Sequence, residues 1–367
     1  MPKPRSYFSN RATIIMSSVV LTNCASSSTP KAIKYSQSLF AAHLAEPQAI
    51  APMSDGALLI AERSGKIIYI KRNSRIDLGS ITKAGAEIAY VSDQGNTEGL
   101  KDLVPVPGSV HQFVWCATTQ SGSKIRWSVG RLVLATSANQ APAMANSIIW
   151  QSGPQVWKKG AGPAGAFSGC RIVFDGNDLL VVTGANDRHS GSGRIMRISL
   201  ARAHAPIVVS TGHRNPGGVV VKDGNIWEVE FGSAGGDELN RIIPGGDYGW
   251  PQVSKGEPQD DGEPQGPGTI KHFLGSRAGS IDPTVSWTPS INPAGMTVWN
   301  GKIYIATLVG SVIELTTRGT KVVSQRQFLE IGDRVRDVRA SRDGRSLWVM
   351  TDGPDARLIL VEPKTSA

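Results

Sequence analysis

The sequence lacks long apolar runs, helical heptads and basic clusters. Its longest apolar stretch, ATIIMSSVVL at 12–21, is too short to cross a bilayer as a helix. No amphipathic heptad repeat appears, and charged residues are a moderate 19 % of the chain. Helical architectures therefore find no support. The formal charge is +9, yet Lys and Arg are nowhere clustered among aromatics, which excludes a nucleic-acid partner. A mildly basic surface of this kind suits anionic ligands. Cysteine is scarce: only Cys24, Cys116 and Cys170 occur. Cys116 and Cys170 either pair in an oxidising compartment or are small buried apolar residues. The second reading is favoured, because nothing in the sequence fixes their separation.

Glycine and proline are abundant instead, at 41 and 22 of 367 residues, which marks a turn-rich and mostly β chain. The N-terminus reads as an export signal. Lys3, Arg5 and Arg11 precede the apolar stretch, and no acid occurs before Cys24. Leu21-Thr22-Asn23-Cys24 resembles a lipoprotein cleavage box, with Asn23 larger than the usual small residue, and 26–30 reads as a linker. Residues 1–30 are thus expected to be signal and linker. The expected location is the periplasm, or the outer membrane through a lipid on Cys24, the chain's one expected membrane link.

A turn–strand–loop–strand pattern then returns six times. It begins at Asp55, Phe113, Asp178, Asp223, Asn300 and Asp343, four times with an Asp-Gly or Asn-Gly turn. A single hairpin is marginal in water, but stacked blades bury each other's faces and a closed ring removes most sheet edges. The sequence predicts an all-β fold, a six-bladed β-propeller over 31–365, with extended residues near 33–39 closing the ring. An irregular β-sandwich is the alternative. The longest insertion, 255–283, shows no strand period and is expected to be a loop on one face.

The stretch Ile226 to Pro251 carries the most chemistry. Ile226-Trp227-Glu228-Val229-Glu230 alternates as a strand with one buried face. A glycine-rich loop follows and ends in Asp237 and Glu238. Glycines let a backbone aim its carbonyls at one point, and carbonyls with carboxylates suit calcium. The plain alternative is a turn-rich hairpin whose acids cap loops.

Five stretches together resemble the glucose/sorbosone dehydrogenases, soluble sugar dehydrogenases that use pyrroloquinoline quinone (PQQ). They are 47–69, Gly212-His213-Arg214-Asn215-Pro216-Gly217-Gly218, 230–251, 286–296 and Arg334-Val335-Arg336-Asp337-Val338. The resemblance spans about 44 to 362. It implies a six-bladed propeller with PQQ and calcium, a sugar or related alcohol as substrate, and an external electron acceptor. Arg214 and Asn215 match residues that touch the quinone oxygens, where a guanidinium stabilises charge arriving with hydride. Arg334 and Arg336 match arginines that bind the cofactor's carboxylates. Gly232 and Ser233 match carbonyl ligands of the cofactor-site calcium. Glu238 and the backbone of Tyr248 match ligands of a structural calcium, and Asp237 is read as a loop cap.

The departures concern proton transfer. Phe167 stands where the family's general base is a His, and it cannot accept a proton. Asp187 is the closest match to an assisting Asp. A family Gln falls near Thr97 and a family Lys near Val309. A positioned base is worth about 10²–10⁴-fold in rate; His189 and His213 are the nearby substitutes. Three functions stand, in this order: a quinone-dependent dehydrogenase of an aldose or related alcohol, a non-catalytic propeller that keeps the cradle for a ligand or partner, and a calcium-dependent lactonase-type hydrolase.

Overall fold

The computed structural model describes residues 34–364 except 73, 82–86, 90–97, 123, 138–139, 157–168, 186–192, 201–204, 233–234, 257–272 and 275–277. Thr97, Phe167, Asp187, His189 and Ser233 lie outside the described residues, as do Cys24 and the export stretch.

Six antiparallel sheets follow one another along the chain. Blade 1 is Pro47–Pro52, Leu58–Glu62, Lys66–Lys71 and Ser74–Ser80; blade 2 is built on Leu100–Pro105, Gln112–Ser121, Lys124–Ser137 and Gln140–Gln151. Blade 3 is Gly169–Asp175, Asp178–Thr183, Arg194–Ser199 and Ile207–Thr211; blade 4 is Pro216–Lys222, Asn225–Glu230, Asp237–Ile242 and Val285–Trp287. Blade 5 is Pro293–Trp299, Lys302–Thr307, Ser311–Arg318 and Lys321–Glu330; blade 6 is Val335–Ala340, Leu347–Thr351 and Ala356–Pro363. Tyr35–Leu44 supplies the fourth strand of blade 6, with Tyr35 opposite Pro363 and Leu39 opposite Ile359. The N-terminal strand thus closes the ring as the sequence predicts. The first strand of each blade touches the first strands of both neighbouring blades, so the six inner strands form a closed circle.

Packing explains the closure. Each gap between blades holds its own apolar cluster. Leu59, Tyr69, Phe113 and Trp115 fill the gap between blades 1 and 2, and Leu58, Ile60, Trp348 and Met350 the gap between blades 6 and 1. Fully burying one such side chain contributes about 1.5–3 kcal/mol. Both faces of the middle strands are therefore covered. This corrects the one-faced reading of 226–230: Trp227, Val229, Glu228 and Glu230 are all buried. The insertion also differs from expectation, since Phe273–Leu274 pairs in parallel with Val253–Ser254.

The structure overturns the favoured reading of the two inner cysteines. Cys116 and Cys170 are buried in the cluster between blades 2 and 3, but they form a disulfide with Cα atoms 5.5 Å apart. The blade stacking brings these neighbours together, and sequence spacing carries no trace of it.

Candidate functional site

A cavity of about 390 Å³ opens on the ring axis. Gln48, Lys101, Gly169, Pro216, Ala294 and Arg336 line it, each at the beginning of a different inner strand. Close approach of blades 4 and 5 shapes one wall. A Cβ on Gly217 would lie 2.1 Å from the Pro293 carbonyl oxygen, so only glycine fits there.

The lining is charged with one sign. Arg63, Lys101, Arg171, Arg334 and Arg336 all face the cavity, and no Asp, Glu or His is among the described lining residues. Asp352 grips two of these cations. Arg336 donates Nε and Nη2 to its two oxygens at 3.0 and 2.8 Å, and Arg334 donates Nε at 2.9 Å. Burial alone would raise the Asp352 carboxyl, but the charges and hydrogen bonds of Arg336 and Arg334 outweigh it and hold it down to about 2. Asn215 lines the same cavity, so Asn215, Arg334 and Arg336 meet there from distant parts of the chain.

Beneath them a buried network fixes the inner strands. Arg171 donates Nη1 to the carbonyls of Gln48 and Lys101, at 3.2 and 2.9 Å, and Nη2 to that of Ala294. Arg339 bridges Asp337 at 3.0 Å and Asp102 at 2.7 Å. Those two carboxylates also accept the backbone N–H groups of Ile50 and Ile172, at 2.9 Å each.

Sequence reasoning passed over Gln48, Arg63, Lys101 and Arg171 as site residues. Lys101 carried a signal: it is a lysine inside an otherwise strand-like Leu100–Pro105. It is buried, and burial pushes its ammonium down to about 7. Glu98 opposes the shift, while Arg63, Arg336 and Arg171 add to it.

Arg214 is placed differently from its neighbour Asn215. It is not among the lining residues. Its Nη1 donates to the carbonyls of Phe231 and Gly232, at 3.2 and 2.7 Å, and its guanidinium lies 5.2 Å from the centre of the Trp250 ring. Gly232 thus has a guanidinium on its carbonyl in this arrangement. Asp237 is a loop cap: it accepts from the N–H of Gly232 at 2.9 Å and from those of Ile291 and Asn292 at 2.8 Å each.

Glu238 does suit a cation. It is buried, and burial pushes its carboxyl up to about 7 against a hydrogen bond from Asn240. The Tyr248 hydroxyl is engaged with Arg241 and Ile243 at 2.6 and 3.0 Å and its N–H donates to the Thr211 carbonyl at 2.9 Å, so the Tyr248 atom with the chemistry of a cation ligand is its carbonyl oxygen. His213, read from the sequence as a substitute base, is not among the described residues that line the cavity. It is fully buried, stacked on Tyr248 at 4.9 Å, and burial lowers it to about 3. Val309 is 56 % exposed beside the lining residue Leu308.

A model of the Glucose / Sorbosone dehydrogenase family matches residues 44–360. The chain is 27 % identical over 361 residues to the aldose sugar dehydrogenase YliI of Escherichia coli, covering 88 % of this chain and 91 % of that one. Among solved structures it is similar to a glucose dehydrogenase with a TM-score of 0.71 and 25 % identity, covering 90 % of this chain and all of the other. The PQQ-bound aldose sugar dehydrogenase of Streptomyces coelicolor superposes with a TM-score of 0.66 and 25 % identity, over 91 % of this chain and 99 % of that one.

Proposed function

Since this chain belongs to the glucose/sorbosone dehydrogenase family over residues 44–360, we propose that its axial cavity binds PQQ and that the protein oxidises an aldose or related alcohol for an external electron acceptor. The observation that carries this reading is the meeting of five cationic side chains and Asn215 on one cavity without an acid among its described lining. Such a surface suits a planar polycarboxylate. Arg334 and Arg336, held by Asp352, would take the carboxylates, and Asn215 would orient the ring. Bound there, the quinone supplies the acceptor for a hydride from the substrate's carbinol carbon.

The hydroxyl proton must leave as the C=O bond forms. Lys101 is the lining group suited to take it, since its amine is partly unprotonated near pH 7. Arg214 would offer its positive charge to a bound quinone only by turning away from the Gly232 carbonyl. Glu238 and the Tyr248 carbonyl would hold a structural calcium. The Cys116–Cys170 disulfide supports export to an oxidising compartment.

A second reading, a binder without turnover, is favoured by Phe167 at the family's His position and by the absence of His or carboxylate among the described lining residues. A lactonase-type hydrolase fares worse, because a central calcium needs acids on the axis where this cavity has arginines. The test is PQQ titration of the mature chain with calcium, followed by dye reduction with aldoses. Parent, Phe167→His and Lys101→Met are compared. Tight binding with slow turnover, raised one to a few decades in Phe167→His and lost in Lys101→Met, supports the dehydrogenase. Binding with no turnover in any variant supports the binder. Absence of PQQ binding in all three proteins sinks both.

A further inference from the structure

Blade 4 buries three glutamates that no Lys or Arg side chain among the described residues pairs directly, although the Arg214 and Lys255 charges act on Glu230 and Glu238 from farther off. Glu228 and Glu230, on Asn225–Glu230, and Glu238, on Asp237–Ile242, are 0, 3 and 7 % exposed. Among the described residues none of the three makes an ion pair with Lys or Arg. Among the described residues the one basic group in ion-pair range is His213, whose Nδ1 lies 3.7 Å from Glu228 Oε2 and 3.8 Å from Glu230 Oε2. Carboxylates taken out of water without a partner are costly, and proteins pair them, protonate them or place a cation between them.

We propose that His213, Glu228 and Glu230 form a buried site for one divalent transition-metal ion, zinc by preference. The three ligand atoms lie within 4.8 Å of one another. His213 Nε2 is hydrogen-bonded to Ser210 Oγ at 2.9 Å, which leaves Nδ1 aimed at the carboxylates. That Nδ1 has no hydrogen-bond partner and is fully buried, and Glu228 Oε1 and Asn240 Oδ1 beside it are also unsatisfied. A proton shared between Nδ1 and a carboxylate does not explain the gap, because 3.7 Å is too long for a hydrogen bond. A water molecule would fill the space but would not supply the cation that lets both carboxyls ionise.

An ion explains both. Metal bonds of about 2 Å place tetrahedral ligands roughly 3.4 Å apart, so the His213 pairs at 3.7 and 3.8 Å need to close by only a few tenths of an ångström, while the two carboxylates, within 4.8 Å of each other, turn inward further. Each ligand also has the outer partner such sites use: Ser210 on His213, the Arg214 N–H on Glu230 at 2.8 Å, and Asn240 Nδ2 on Glu228 at 3.2 Å. Burial lowers His213 and raises Glu228 and Glu230, so the imidazole is in its ligand form and the carboxylates gain most from a cation. A nitrogen ligand with two carboxylates favours zinc over calcium, which takes six to eight oxygens. The site is separate from the calcium expected at Glu238, and the Asn240 amide stands between them, 3.4 Å from Glu238. It does not depend on the PQQ reading. Because His213 precedes Arg214 and Asn215, the ion would fix the segment that presents them.

The test unfolds the mature chain in guanidinium with chelator, keeping the disulfide, and refolds it with zinc, manganese, calcium or no metal. Metal content is then measured after desalting, together with Tm. Roughly one retained zinc per chain and a Tm rise of about 5 °C are expected. His213→Gln and Glu228→Gln should lose both, while Glu238→Gln keeps them. The proposal is overturned if the refolded parent retains no zinc, if it retains calcium alone, or if the His213→Gln/Glu228→Gln double variant holds zinc as well as the parent. Should the variants fail to fold, metal content of the parent decides alone.

Discussion

The axial cavity and the interior of blade 4 both concentrate charge, but they are built in opposite ways. Arg63, Lys101, Arg171 and Arg336 come from four different blades; carbonyls of three other blades hold Arg171, and Asp352 of its own blade holds Arg336. Glu228, Glu230 and Glu238 come from two adjacent strands of one hairpin; among the described residues only His213 comes within ion-pair range of any of them, and the Arg214 and Lys255 charges act on Glu230 and Glu238 from farther off. The axial cations are therefore already compensated by a protein scaffold, and their surplus faces open space where an anion docks. The blade-4 anions are enclosed and uncompensated, which calls for a small cation taken up during folding. A ligand enters the first region; the second is completed as the chain folds.

The sharpest way to break this contrast is to remove an acid from the axis. Asp102 accepts from Arg339 at 2.7 Å and from the Ile172 N–H at 2.9 Å, and it lies 4.0 Å from Arg171. Asp102→Ala leaves buried guanidiniums without their counter-charge, which typically costs about 3–5 kcal/mol. Urea unfolding should show this loss. A change under about 1 kcal/mol would mean the axial cations are not compensated as described.

Next in size is the disulfide that ties the blade of Lys101 to the blade of Arg171. Its loop of 54 residues corresponds to about 4 kcal/mol of chain entropy. The Cys116→Ser/Cys170→Ser pair should unfold at markedly lower denaturant, and a reducing agent should shift the parent in the same direction while leaving the variant unmoved.

The sequence exposed far more of the ring than of the charge it carries. Asp55-Gly56, Asp223-Gly224 and Asn300-Gly301 mark their hairpins by turn chemistry alone, and the extended residues near 33–39 announce the closing strand. These signals are local. Pairing of Cys116 with Cys170, or of Arg339 with Asp102, depends on which blades become neighbours, and nothing within either segment records it. The 226–230 alternation misleads for a related reason: a polar period-2 face reads as solvated, yet stacked blades cover both faces. Arg334 and Arg336 were legible because they share one strand and one motif. Lys101 was the overlooked clue, a charged residue in a buried inner strand.

Asp352 gives the third and gentler test. Its folded carboxyl is held at about 2, below an ordinary Asp near 4, so the group contributes stability above the unfolded value. That contribution, about 2 kcal/mol, is lost as pH falls from roughly 4 to 2. Asp352→Asn should therefore be less stable than the parent at pH 6, and the difference should shrink across that window. A constant difference at both pH values would show that the carboxylate's charge is not what holds Arg334 and Arg336.

The smallest effect separates cost from use at the axis. Lys101 has its folded value lowered to about 7, against roughly 10.4 when unfolded. Between those values the unfolded chain binds more protons, so the parent's stability rises with pH through that range. Below pH 7 the buried ammonium destabilises the fold in full; above about 10.5 the amine is neutral in both states and the penalty is gone. Lys101→Met fits a similar volume without charge, and buried ions replaced by apolar residues often leave a protein more stable. We expect Lys101→Met to gain on the order of 1 kcal/mol at pH 6, with the gain fading toward pH 10, by urea unfolding in matched salt. A lysine that costs stability yet faces the cavity is what a proton acceptor requires. If Lys101→Met is instead destabilised by more than about 1 kcal/mol at pH 6, the ammonium is a structural counter-charge to Glu98, and the proton must go to a group outside the described lining.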